Sequence, residues 1–249
     1  MCTFVILRRP DHSWPVIIGA NRDEMVDRPS TPPGRHWPER PGTIAGRDDL
    51  AGGSWLGLND DGVVAGIMNR LNTLGPEAGK RSRGELVLEA LDHADARDAV
   101  TALAELDGRA YRPFNMVVAD NRDAFWLRHS GRNSSIVEIR PLHDGLSMIT
   151  AHDRNDIERS ERIRAFLPRF DAAPPPQPDK GDWEAWAALM ASRGTDEAAG
   201  AGMTVRLDGG FGTRSSSLMA LPAIGADLPV WRFSDGPPDA NPYRDVTLR

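Results

Sequence analysis

One cysteine, Cys2, stands in a chain of 249 residues, so no disulfide can form within the chain and no cysteine-rich zinc site can be built. Lysine occurs only at positions 80 and 180, and nearly all positive charge is arginine. The net charge is -6, so nothing suggests the basic stripe of a nucleic-acid-binding surface, and it argues against a basic membrane-binding face. No stretch approaches the ~20 consecutive apolar residues of a membrane span. The opening Met-Cys-Thr-Phe-Val-Ile-Leu-Arg-Arg-Pro places its short apolar core before its arginines, the reverse of a secretory signal. The six histidines (12, 36, 93, 129, 143 and 152) show no ligand spacing, so no metal site is expected. These absences point to a cytosolic protein, and the length favours one domain over residues 1–249.

Hydrophobic residues make up 40% and charged residues 27%, ordinary for a globular chain. Residues 2–8 and 14–20 read as two strands joined by the turn-like 9–13. The β-branched run Val16-Ile17-Ile18 suits a strand buried on both faces. The stretch holding Pro29, Pro32, Pro33, Pro38 and Pro41 reads as an ordered surface loop. Residues 54–58 and 63–68 form a hairpin around Asn59-Asp60-Asp61-Gly62. Ser82 and Glu85 form a capping box ahead of a helix burying Leu86, Val87, Ala90 and Leu91, and Asp95 caps a second helix. Strands are expected at 114–119, 123–128, 134–139 and 145–150. Ile163, Phe166, Leu167 and Phe170 mark a third helix, and Trp183, Trp186, Ala187 and Met190 a fourth. Strands at 203–207, 215–221 and 229–234 close the chain. Helices in pairs between runs of strands indicate an α+β layered architecture.

The chemistry concentrates near the amino terminus. Removal of Met1 would leave Cys2 with its thiol and a free α-amino group on one residue. An amine with a pKa of about 8 is a usable base near neutral pH, and the thiolate is the form that attacks a carbonyl carbon. An amine activating its own residue's nucleophile is an established form of covalent catalysis. Asn21-Arg22-Asp23-Glu24 ends the second strand, where side chains can converge on the start of the first. Arg22 could lower the thiol pKa and Asp23 could hold the amine, or the four residues could be a solvated charge cluster leading into a loop.

Taken together, Cys2, Ala20-Asn21-Arg22-Asp23-Glu24, Arg28-Pro29, Gly52-Gly53-Ser54-Trp55-Leu56-Gly57-Leu58, Asn69-Arg70, Pro113-Phe114-Asn115 and Phe211-Gly212-Thr213-Arg214-Ser215 closely resemble the NRDE family of transport and Golgi organisation protein 2-like chains. That family is similar in turn to the cysteine N-terminal-nucleophile hydrolases. The resemblance implies a four-layer αββα sandwich and a reactive Cys2. It implies catalytic parts for Arg22, Asp23, Asn69 as oxyanion donor, and Arg214, with Asn21, Trp55 and His152 at a ligand. Two departures stand out. The arginine is displaced within the Asn21-Arg22-Asp23 segment, and Thr150-Ala151-His152 stands where the hydrolases have Thr-Asn, so the second oxyanion or positioning asparagine is missing unless His152 or Asn155 substitutes. Two functions follow from the resemblance: an amidohydrolase acting on a small linear amide through an acyl-enzyme on Cys2, or a non-catalytic carrier of haem or acyl-CoA. Haem is then a carried ligand, and no cofactor is expected.

Overall fold

The computed structural model describes residues 2–131, 134–194, 201–225 and 228–249. The chain divides into two compact units. The first comprises residues 1–27 and 144–247, the second residues 28–143 with 248–249.

The first unit is built on an antiparallel sheet of β1 (Thr3–Arg8), β2 (Val16–Met25), β10 (Gly145–Ile149), β11 (Arg206–Leu207), β12 (Phe211–Leu221), β13 (Val230–Ser234) and β14 (Arg244–Asp245). Its order is β10-β1-β2-β12-β13-β14, with β11 paired to β12. β1 and β2 form the expected pair, with Thr3 opposite Asn21 and Arg8 opposite Val16. The expected end of β2 is corrected: the strand runs on through Asn21-Arg22-Asp23-Glu24 to Met25. The reason is tertiary. β12 pairs with it along its whole length, from Leu221 opposite Val16 to Phe211 opposite Met25, and so supplies hydrogen-bond partners where the hydrophobic run has stopped. Asn21, Arg22 and Asp23 are accordingly buried rather than a solvated cluster.

Helices α3 (Glu161–Ala172) and α4 (Glu184–Met190) cover one face of this sheet. Ile163, Phe166 and Phe170 of α3 pack with Trp183, Trp186 and Met190 against Val5, Ile17, Met148, Leu218 and Ala220. Ser160 caps α3, its hydroxyl accepting from the Ile163 amide at 3.3 Å. Side chains alternate along a strand, so Ile17, Gly19, Asn21 and Asp23 of β2 all point to the helical face. A Cβ on Gly19 would sit 3.1 Å from Met190 Sδ and 3.4 Å from the Trp186 ring, so the glycine is what lets α4 lie close to β2.

The second unit is a meander in chain order, β3 (Ser30–Gly34), β4 (Thr43–Asp48), β5 (Leu56–Asn59), β6 (Val64–Asn69), β7 (Phe114–Ala119), β8 (Ala124–His129) and β9 (Glu138–Pro141). Helices α1 (Gly84–Ala90) and α2 (Ala96–Ala104) pack on it through Leu86, Val87, Val100 and Leu103 against Val63, Ile67, Met116 and Val118. Asp95 caps α2 as expected, accepting from the Asp98 amide. Three expectations are corrected. Ser30–Gly34 is a strand although it contains Pro32 and Pro33, because it lies at the sheet edge and its register shifts between Thr31 and Gly34, which spares the missing amides. The Ser82–Glu85 capping box does not form: Arg83 occupies the cap with helical backbone angles, and Glu85 instead accepts from Tyr111 Oη at 2.6 Å and pairs with Arg81. The strand expected over 134–139 lies at 138–141, where β8 offers a partner. Among the described residues, no helix is long and apolar enough to cross a membrane.

Candidate functional site around Cys2

Cys2 lies at the threshold of β1, half-buried, with its sulfur against the main chain of Asp23 on β2. The Asp23 amide donates to Sγ at 3.4 Å, and the thiol donates to the Asp23 carbonyl at 3.4 Å. Burial pushes the thiol pKa up, and the Asp23 charge pushes it further. The positive charge of the chain's amino terminus, the backbone hydrogen bond with Asp23 and the positive charge of Arg22 pull the other way without cancelling the rise. The resting group is therefore the thiol rather than the thiolate.

The Asp23 carboxylate points to the helical face and is fully enclosed, with 0% of the side chain exposed. Thr213 Oγ1, from the β12 residue directly opposite, donates to Oδ1 at 2.7 Å. Arg162 Nη1, from the first turn of α3, donates to Oδ2 at 3.0 Å and to Thr3 Oγ1 at 2.6 Å. Arg162 is itself only 5% exposed. Thr213 is fixed in turn, since its hydroxyl accepts from the Val205 amide at 2.9 Å. β1, β2, β12 and α3 thus converge on the carboxylate of the residue whose main chain holds the sulfur.

Of the other residues singled out in the sequence, Arg22 is buried on β2 opposite Ser215. Arg214 is the extra residue of a β-bulge: β12 slips register between Thr213 and Ser215 against β2, which re-aims the side chain at that point. Asn21 is a structural tie, its amide donating to the carbonyls of Met190 at 3.0 Å and Met203 at 2.9 Å. His152 follows β10 and lines a cavity of about 190 Å³ together with Thr150, Arg159, Ser160, Glu161 and Arg162. Asn155 has φ 54° and accepts from the Met148 amide at 2.7 Å, so it holds the turn after β10. Asn69 and Trp55 belong to the second unit. Asn69 is the last residue of β6, opposite Phe114, and the Trp55 ring fills the space over Gly46, where a Cβ would come within 2.4 Å of it. Met1 lies outside the described residues. Among the described residues, no three His, Cys, Asp or Glu side chains gather in a way that could hold a metal ion.

Two members of the site were missed in the sequence: Arg162 and Thr213. A signal existed for the first. Positions 162, 166 and 170 follow one helical stripe, and a lone arginine on a stripe with two phenylalanines is a charge headed for burial. Thr213 carries no such mark, because only its register against β2 puts it opposite Asp23.

The chain is similar to the mouse Transport and Golgi organization 2 homolog, 32% identical over 114 residues, which is 44% of this chain and 40% of the relative. The matched stretch thus spans well under half of the curated relative's length. In structure it is similar to the N-acylethanolamine-hydrolyzing acid amidase ortholog of Caenorhabditis elegans, with a TM-score of 0.57 at 14% identity, over 88% of this chain and 92% of that one. It is equally similar to a variant of the conjugated bile acid hydrolase from Clostridium perfringens, with a TM-score of 0.57 at 10% identity, over 99% and 94% of the two chains. At such identities the likeness shows the fold alone, an α+β fold of the N-terminal-nucleophile-hydrolase type. The family model for Transport and Golgi organisation 2 matches residues 1–169, and the chain belongs to that family.

Proposed function

We propose that the protein is an amidohydrolase that opens a linear C–N amide through Cys2. With residue 2 at the head of the mature chain, its α-amine takes the thiol proton as sulfur attacks the carbonyl carbon. The C–N bond breaks, the amine returns the proton to the leaving nitrogen, and a thioester remains on Cys2. Water, deprotonated by the same amine, then cleaves the thioester and releases the acid. The observation that carries this reading is the seating of the Cys2 sulfur against the main chain of Asp23, whose own carboxylate is fixed and fully buried. A raised thiol pKa supports it too, because a thiol that resists ionisation gains most from a base on its own residue. Two of the solved structures to which the chain is similar are hydrolases of N-acylethanolamines and of conjugated bile acids, and an N-acyl amide is the substrate class that fits.

The test uses protein whose first residue is Cys2, offered a panel of N-acyl amides with aminoacyl and fatty-acyl members. Turnover of at least one member is expected, with retention of Met1 lowering it by roughly 10²–10⁴-fold, the usual contribution of a positioned acid–base group. Cys2→Ser should keep binding and lose most turnover. Absence of hydrolysis across the panel by correctly processed protein would overturn the reading.

A further inference from the structure

After burial, the Asp23 carboxylate raises the Cys2 pKa, and its charge is not left to water. Thr213 holds one oxygen at 2.7 Å and Arg162 the other at 3.0 Å. Arg162 reaches it from α3, 139 residues away in sequence, and with the same nitrogen grips Thr3, the neighbour of Cys2. Such an arrangement is costly in free energy if its purpose is stability alone, since a buried ion pair is often no better than a well-packed apolar pair. A packing role would be served as well by a leucine on the stripe of Phe166 and Phe170.

We infer that Arg162 is a positioning residue for Cys2: it fixes the orientation of the Asp23 carboxylate together with Thr213 and shields the Asp23 charge from the sulfur. The inference rests on the reading of Cys2 as the reactive group. The charged groups acting on the thiol are Asp23 and Arg22, both on β2, together with the chain's amino terminus, and Arg162 acts on it from α3 through Asp23. Loss of Arg162 leaves the enclosed Asp23 carboxylate without its buried cationic partner and makes the thiolate harder to form.

The experiment reads the sulfur directly. Cys2 is the sole cysteine, so the rate of its alkylation by iodoacetamide against pH, followed by intact mass, is a single-site titration that needs no substrate. Arg162→Met should move the midpoint up by about one pH unit, slowing alkylation about tenfold at a fixed pH below it. Arg162→Lys should restore most of the native profile. A folded Arg162→Met protein with the native profile would overturn the inference. If that variant does not fold, Arg162→Met combined with Asp23→Asn removes both charges and leaves none unpaired. A midpoint within about half a pH unit of the native one shows that the pair was self-shielding, whereas a fall of a full unit or more shows Asp23 acting unshielded and overturns the inference. Where an amide is turned over, Arg162→Met should lower kcat and leave KM near its native value. If no amide is turned over by the native protein, the proposed activity fails while the alkylation result still decides the part played by Arg162.

Discussion

A single side chain can report on the environment the fold imposes, and His129 does so in the second unit. It ends β8, is 1% exposed, and its ring lies 5.7 Å from that of Phe114. Burial lowers its pKa below the ordinary value, and the charges of Lys80 and Arg70 act in the same direction. The folded pKa lies below the unfolded one. Above about pH 6.5 the ring is neutral in both states and costs nothing. As pH falls through that value, the unfolded chain takes up a proton that the folded chain refuses, and stability is lost at up to about 1.4 kcal/mol per pH unit. The urea midpoint should therefore fall more steeply between pH 7 and pH 5 for the native protein than for His129→Gln. Parallel slopes for the two proteins would show that His129 does not set this limit. Arg162 and Asp23 make the contrasting case, in which charge is kept in the interior because each partner answers the other.

At the scale of elements, what matters is how closely backbones approach. The Gly52-Gly53-Ser54-Trp55 segment packs on the start of α1, with the Ser54 amide donating to the Gly84 carbonyl at 3.0 Å. A Cβ on Gly53 would lie 2.5 Å from the Gly84 carbonyl carbon and 2.9 Å from the Glu85 nitrogen, and main-chain atoms cannot swing aside as a side chain could. Gly53→Ala is expected to cost about 1–3 kcal/mol, the range for overpacking, read as a lowered urea midpoint. Gly52→Ala should also destabilise, but for a different reason: φ is 73° there and nothing lies within 4 Å of an added Cβ. A Gly53→Ala protein as stable as the native one would mean that α1 is free to retreat. Element boundaries were legible where a local device sets them. Asp95 caps α2, and Asn59-Asp60-Asp61-Gly62 turns β5 into β6 with Gly62 at φ 90°. They were illegible where a distant strand sets them, as for Ser30–Gly34 and for the second half of β2.

Across the whole molecule, each unit carries its own apolar core beneath its own helices. In the first, Trp186 is 1% exposed and meets Phe170 edge-on, with ring centroids 5.2 Å apart at 77°. It sits over Gly19 on the strand that also bears Asp23, so packing and site share one element. Trp186→Ala is expected to destabilise by about 3–5 kcal/mol, the range for emptying a large aromatic site, with loss of near-ultraviolet dichroism. A change of less than about 1 kcal/mol would mean that the helices close over the space.

By itself the sequence determined the family, the pairing of β1 with β2, the apolar stripe of α3, the cap of α2 and the hairpin at Gly62, because each rests on residues close together in the chain or on a motif read as a unit. It also marked Cys2 and Asp23 as residues to watch. Only the tertiary structure decided that β2 continues to Met25, that Asn21 ties down main-chain carbonyls, and that Arg214 is a bulge residue. It decided too that Asp23 is gripped by Arg162 and Thr213, which lie 139 and 190 residues away. The reason is physical. Hydrophobic periodicity and capping are local, whereas the partner of a buried charge is chosen by which strands and helices meet, and no spacing along the chain encodes that meeting.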